Sequence, residues 1–417
     1  MRIAYASPHD FLGGASRIGH YLFSGFRNLG HETAFFVGKR SLADDDVHQI
    51  RKFDTKAQKF FGKVKKRIDR ELGHEHFYYP NSAKQILDWK PDIIHFHNPQ
   101  GGYFELPALK EMSKQVPVLF TLHDPWMFTG HCSYFIECDR WLKGCGNCPD
   151  LNRRPSLKRD GTAFNWQRKK KLYQNSNFYV ATPSAWLLKE AERSILKEGI
   201  LEGRVINNGV DQEVFRPKET ADLRSKLGIP EDEMVLLYVV NSHMRTNPYK
   251  DFTTISNALD HLKAIKRPDQ KFTFVALGTD GDEVNQDGIR MLYAGFQTDV
   301  EVISSYFNMA DLYLHAARAE NYPNVVMEAL ACGTPCIVTN TGGVPEQIIE
   351  GKSGWIVPFE GAKQMAETIL ELSKNSVLLN SASKEARNWI EQNHSLNHMI
   401  QEYSNFYQKI LTNQQNQ

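Results

Sequence analysis

Short apolar runs alternate with helix-patterned segments along the whole chain, and that alternation leaves few folds open. Residues 2–6 read as a strand, followed by a glycine-bearing loop at 9–14, a helix to about Leu29 and a second strand at 32–37. Residues 92–97, 116–123, 177–182 and 204–207 continue the series. Strands joined through helices pair in parallel, which gives a sheet covered on both faces. A polar connector then interrupts, running from Asn208-Gly-Val-Asp211 to Phe215-Arg-Pro-Lys218. The alternation restarts at 234–240, 272–278, 292–296, 311–315 and 335–338. The expected fold class is α/β, with two doubly wound, Rossmann-like domains in series and a linker near 212–220. Their limits are set at 1–214 and 215–395. Ligands of such sheets bind outside the carboxyl ends of the strands.

At 417 residues the chain is too long for one ordinary domain and comfortable for two. A net charge of +1 gives no overall pull toward nucleic acid. No apolar run approaches the length that crosses a membrane, and the first residues enter a strand without the apolar core of a signal peptide. The expected location is cytoplasmic.

One segment carries most of the functional information: Glu320-Asn-Tyr-Pro-Asn-Val-Val-Met-Glu328-Ala-Leu-Ala-Cys-Gly-Thr-Pro335. Two carboxylates stand eight residues apart across the start of a helix. Pro323 suits the first turn, Val325, Val326, Ala329 and Leu330 form the buried stripe, and Gly333 with Pro335 marks the exit. Glu320 falls in the loop before the helix and Glu328 within it, separated by up to roughly 12 Å of axis. That span suits the two ends of a nucleotide sugar, with its diphosphate against the positive end of the helix dipole.

The segment and its continuations, Thr341-Gly-Gly-Val-Pro-Glu346 and Gly354-Trp-Ile-Val-Pro358, resemble the retaining glycosyltransferases of family 4. The resemblance implies the GT-B fold, two Rossmann-like domains facing a cleft, with a last helix over 396–411 that returns to the first domain. It implies transfer of a sugar from a nucleoside diphosphate sugar to a sugar or lipid-linked hydroxyl acceptor, with retained configuration. Glu328 would read the ribose hydroxyls and Glu320 the sugar. The backbone of Asn321, Tyr322, Pro323, Asn324 and Val325 would serve the sugar and the phosphates. Lys250 matches the lysine that holds the diphosphate, with Asp251 in place of the usual glycine, and Arg245 is the candidate arginine. Gly13 and Gly14 lie in a loop that would face the donor, and Gly278 ends the next strand of the second domain. Thr121-Leu-His123-Asp124 resembles the segment whose histidine lies near the donor sugar, and His95-Phe-His97-Asn98 ends the strand before it. The usual Pro-Ser before the first glutamate is replaced by Ala316-Ala317. By resemblance the departing diphosphate takes the acceptor's proton, so no enzymic nucleophile and no catalytic cofactor are required.

Rival readings remain at this stage. An NAD-dependent oxidoreductase needs a Gly-x-Gly-x-x-Gly loop and an acid ending its second strand, and neither is present. A non-catalytic partner protein and a nucleotide-sugar epimerase-like enzyme both share the fold.

Four cysteines cluster as Cys132-x5-Cys138-x6-Cys145-x2-Cys148. Their spacing admits a structural zinc, and equally reduced thiols that pin a loop. Segment 56–70 mixes Lys56, Lys59, Lys63, Lys65, Lys66 and Arg67 with Phe60, Phe61 and Ile68 at near-helical intervals. It reads as a peripheral membrane contact at the inner face, or as a solvated helix face.

Overall fold

The computed structural model describes residues 1–240 and 247–415. They form two compact units, one of residues 1–207 with 399–417, the other of residues 208–398. In the first, β1 (Arg2–His9), α1 (Gly14–Asn28), β2 (Glu32–Lys39), β3 (Val47–Gln49), α2 (Lys56–Leu72), α3 (Ser82–Asp88), β4 (Ile93–His97), α4 (Leu109–Met112), β5 (Val118–Thr121), α5 (Thr162–Tyr173), β6 (Phe178–Thr182), α6 (Ala185–Arg193) and β7 (Ile200–Val205) follow in order. The sheet order is β3-β2-β1-β4-β5-β6-β7, and every pair is parallel. Burial on both faces explains why its central strands are continuous apolar runs rather than alternating ones.

The second unit holds α7 (Ala221–Lys226), β8 (Met234–Val239), α8 (Phe252–Ile265), β9 (Phe272–Leu277), β10 (Val284–Gln286), β11 (Ile289–Ala294), α9 (Val300–Met309), β12 (Leu312–His315), α10 (Asn324–Ala331), β13 (Cys336–Thr339), β14 (Gly354–Val357), α11 (Ala362–Leu372) and α12 (Ser376–Asn393). Its order is β10-β11-β9-β8-β12-β13-β14, parallel except for the β10–β11 hairpin. The strand order reverses between β1 and β4 in one sheet and between β8 and β12 in the other, which is where doubly wound sheets open a crevice.

Two boundaries move from their expected places. The division falls at 207/208 rather than 214/215, because Val210 donates to the His394 carbonyl and Phe215 is buried in the second core. The last strand of the first sheet is Ile200–Val205 rather than 204–207. The final helix, α13 (Leu396–Gln415), leaves the second unit within its first turn. It then buries Met399, Tyr403, Phe406, Tyr407 and Ile410 in the first.

Candidate active site

The loops after β8 and β12 are stitched together by backbone hydrogen bonds. Arg318 N–H donates to the Tyr249 carbonyl at 2.9 Å, Asp251 N–H to Ala316 at 3.1 Å, and Lys250 bridges Ala317. That lacing sets Lys250 against Glu320, with Nζ 2.7 Å from Oε2. Glu320 also accepts the Asn321 N–H at 3.2 Å. Burial pushes its carboxyl up, but the Lys250 charge and the hydrogen bonds from Lys250 and Asn321 outweigh that and hold it below the ordinary carboxylate range.

One departure from the family pattern acquires a physical reason here. Asp251, where a glycine is usual, is the N-cap of α8, and its carboxylate accepts the Thr254 N–H at 3.1 Å and hydroxyl at 2.6 Å. Ala316 and Ala317 are fully buried, and the Ala317 N–H donates to Thr339 Oγ1 at 3.1 Å.

Pro323 is the N-cap of α10, one position ahead of the helical turn expected for it, and no side chain caps the helix. The first amides of α10 thus point out from a helix end that favours an anion. Glu328 is buried one turn from the end of the same helix. Tyr322 is turned inward, 5% exposed, with its ring beside His394, so only its backbone is available to a ligand. Asn321 is buried too, Asn324 accepts from Asn208 at 3.1 Å, and Val325 packs against the core. Gly278 has a reason in the fold itself. Its φ is +98°, and a Cβ there would lie 1.7 Å from the Val240 carbonyl oxygen. Arg245 lies outside the described residues.

In the first unit, Gly13 caps α1 at φ +89° with open space around it, and Gly14 begins the helix, exposed. This loop follows β1, at the reversal point of its sheet. His97 and His123, ending β4 and following β5, share a 3.0 Å hydrogen bond between Nδ1 and Nε2. Burial pulls His123 down to about 3 and His97 well below its ordinary value, so the pair is neutral. His95 is a satisfied core residue, bonded to Tyr407 at 2.6 Å and Thr121 at 2.7 Å.

The cysteine loop carries hydrogen bonds of its own. Among the described residues no three His, Cys, Asp or Glu side chains gather in a way that could hold an ion. Cys148 instead meets His131 Nε2 at 3.4 Å and the Asp150 carbonyl at 3.5 Å, while His131 Nδ1 reaches the Pro155 carbonyl at 2.8 Å. Burial pushes the Cys132 thiol up to about 12 and Cys145 to about 11.

One site residue escaped sequence reasoning. His315, the last residue of β12, is 2% exposed and lies close enough to Lys250 and Glu320 to feel both charges. A histidine ending a strand gave no signal beyond its position.

Two doubly wound units, the second with a cation–carboxylate pair beside a helix start that no side chain caps, are the architecture of the GT-B class. Comparison with known proteins agrees. The model of "Glycosyltransferase Family 4" matches residues 12–214, and that of "Glycosyl transferases group 1" matches 219–391. WcaC of Escherichia coli (strain K12), a glycosyl transferase assigned to colanic acid biosynthesis, is 27% identical over 338 residues, 77% of each chain. N-acetyl-alpha-D-glucosaminyl L-malate synthase of Bacillus anthracis is 25% identical over 223 residues, 51% of this chain and 55% of that one. Among solved structures, Anabaena HepE in complex with UDP-glucose superposes with a TM-score of 0.67 at 15% identity, covering 98% of this chain and 100% of that one. Sucrose-phosphate synthase from Thermosynechococcus elongatus gives 0.66 at 18% identity, covering 99% of both. The chain belongs to the GT-B glycosyltransferases built from a family 4 first domain and a group 1 second domain.

Proposed function

We propose that the protein moves a sugar from a nucleoside diphosphate sugar to a hydroxyl acceptor, with retention, in the assembly of a surface polysaccharide or lipid-linked glycan. The observation that carries this reading is the Lys250–Glu320 pair at the reversal point of the second sheet, beside the uncapped start of α10. A diphosphate arriving there meets an ammonium and a helix N-terminus, and both oppose the charge that grows on a departing phosphate. Glu320 then faces the sugar hydroxyls and Glu328 the ribose, since carboxylates accept such bonds in pairs. His123, held neutral against His97, is suited to hydrogen bonding rather than to proton transfer. The complex of HepE with UDP-glucose and the naming of WcaC support a UDP-sugar and a polysaccharide product. A thermal-shift screen of UDP-, GDP- and ADP-sugars tests the donor, because a bound ligand raises Tm. Product NMR then reads the anomer. An inverted product defeats retention, and no shift with any donor defeats the reading.

We place the enzyme's work at an anionic membrane surface, on the cytoplasmic side. The support is the unusual docking of α2. This helix meets its unit through Gln58, Gly62, Lys65 and Asp69, of which Gly62 sits on Phe53 and Asp69 bonds His76 at 2.7 Å. Phe60, Phe61, Val64, Ile68 and Leu72 are all exposed, Phe60 at 71%. An apolar stripe facing solvent beside Lys59, Lys63, Lys66 and Arg67 is the pattern of a helix that lies in a headgroup layer. No helix among the described residues is long and apolar enough to cross a membrane. For the cysteine loop we favour reduced thiols that pin it, given the hydrogen bonds of Cys148.

A further inference from the structure

Tyr313 and His315 occupy alternate positions of β12 and so share one face of the sheet. Tyr313 is fully buried, and among the described residues its hydroxyl has one hydrogen-bond partner, Nδ1 of His315 at 3.2 Å. A buried hydroxyl needs an acceptor for its hydrogen, so Tyr313 donates and Nδ1 accepts. The ring's own proton therefore belongs on Nε2. That nitrogen is buried and has no partner among the described residues. A buried N–H with no partner among the described residues, close enough to Lys250 and Glu320 to feel both charges, is a donor that a neighbouring carboxylate can take up.

We propose that His315 is a positioning residue for Glu320, its Nε2–H taking up the carboxylate when a bound diphosphate draws Lys250 away. This rests on the reading of the second unit as the nucleotide-sugar site. In the structure Lys250 serves Glu320. A diphosphate competes for the same ammonium, and a carboxylate deprived of its cation in a buried place takes up a proton or turns from the sugar. A neutral N–H holds it ionised and aimed at the sugar. It adds no positive charge that would restrain the leaving group's departure. Burial, with Lys250 adding to it, pulls His315 down to about 3, so the ring keeps this donor polarity across the working range of pH.

The test compares His315→Phe with His315→Gln, using whichever of the UDP-, GDP- or ADP-sugars the unmodified protein binds most tightly. Donor affinity is measured by calorimetry, and donor and acceptor KM by initial rates. His315→Phe should raise the donor Kd and KM by about ten-fold or more and leave the acceptor KM unchanged. His315→Gln retains an N–H at a similar reach and should recover most of that loss. Equal losses in the two variants, or an unchanged donor KM in His315→Phe, overturn the assignment. If the unmodified protein binds no nucleotide sugar, the reading of the site falls first, and the two failures are thereby told apart.

Discussion

Tyr407 and His95 are joined by a 2.6 Å hydrogen bond between the phenol oxygen and Nδ1, although 312 positions separate them in the chain. The other imidazole nitrogen bonds Thr121 at 2.7 Å, and Thr121 bonds Tyr403 at 2.8 Å. Two tyrosines of α13 are thus bound to the ends of β4 and β5, the strands that lead to His97 and His123. Among buried groups a lost partner costs more than the bond itself is worth.

Tyr407→Phe should therefore destabilise the first unit by about 1–3 kcal/mol, since it leaves a buried imidazole nitrogen unpaired. Urea denaturation followed by tryptophan fluorescence reads the effect. An unmoved midpoint would mean that apolar packing of Phe406 and Ile410 alone holds the helix.

The Lys250–Glu320 pair makes a second prediction, about coupling. Lys250→Ala should lower kcat/KM by about 10²-fold if the ammonium stabilises the departing diphosphate. Glu320→Gln should act mainly on the donor KM. Because the two side chains are in contact, the double variant should lose less than the product of the single losses. Strict multiplication would show that each acts alone.

Much of this architecture could be read in advance because strands buried on both faces are apolar runs, and such runs stand out from helical spacing. The legibility fails at edges. In β7, Glu202 and Arg204 alternate with small and apolar residues on a half-exposed strand, so no apolar run marks its limits. The β10–β11 hairpin turns at Asp287-Gly288, both at positive φ, a dipeptide that announces such a turn. Glu320, Glu328 and Lys250 were found through a motif. His315 is not legible that way, because what singles it out is Tyr313 holding one ring nitrogen while the other has no partner among the described residues. Likewise the periodicity of α2 shows that the helix has two faces, but not which one the protein occupies.

Gly278 supplies a third prediction, on stability. A methyl group at φ +98° cannot be relieved by a side-chain rotation when its nearest neighbour is a backbone carbonyl 1.7 Å away. Gly278→Ala should cost about 3 kcal/mol or more through strain and overpacking. The ends of β8 and β9 would separate, and the loop carrying Lys250 follows β8. Loss of both soluble yield and donor binding is the expected result. A variant with unchanged Tm would refute the close approach.

Asp124 gives the last prediction, in which pH decides the sign. Its Oδ1 accepts the Trp126 N–H at 2.9 Å and its Oδ2 accepts Gln100 Nε2 at 2.8 Å. Burial pushes the carboxyl up to about 6, although those two bonds and the Lys169 charge pull the other way. In an unfolded chain the same group titrates near about 3.9, so the native state holds the proton more tightly. The stability this confers is complete below about pH 4 and is lost as pH rises through about 6, where the native carboxylate must be charged. Asp124→Asn accepts the Trp126 N–H through its oxygen and pairs with a turned Gln100 amide through its nitrogen, with no charge to bury. It should raise Tm at about pH 7.5 and change it little near about pH 4.5. A shift of equal size at both pH values, or a fall at the higher one, would show that the ionised carboxylate is paid for by its hydrogen bonds and that burial does not govern this residue.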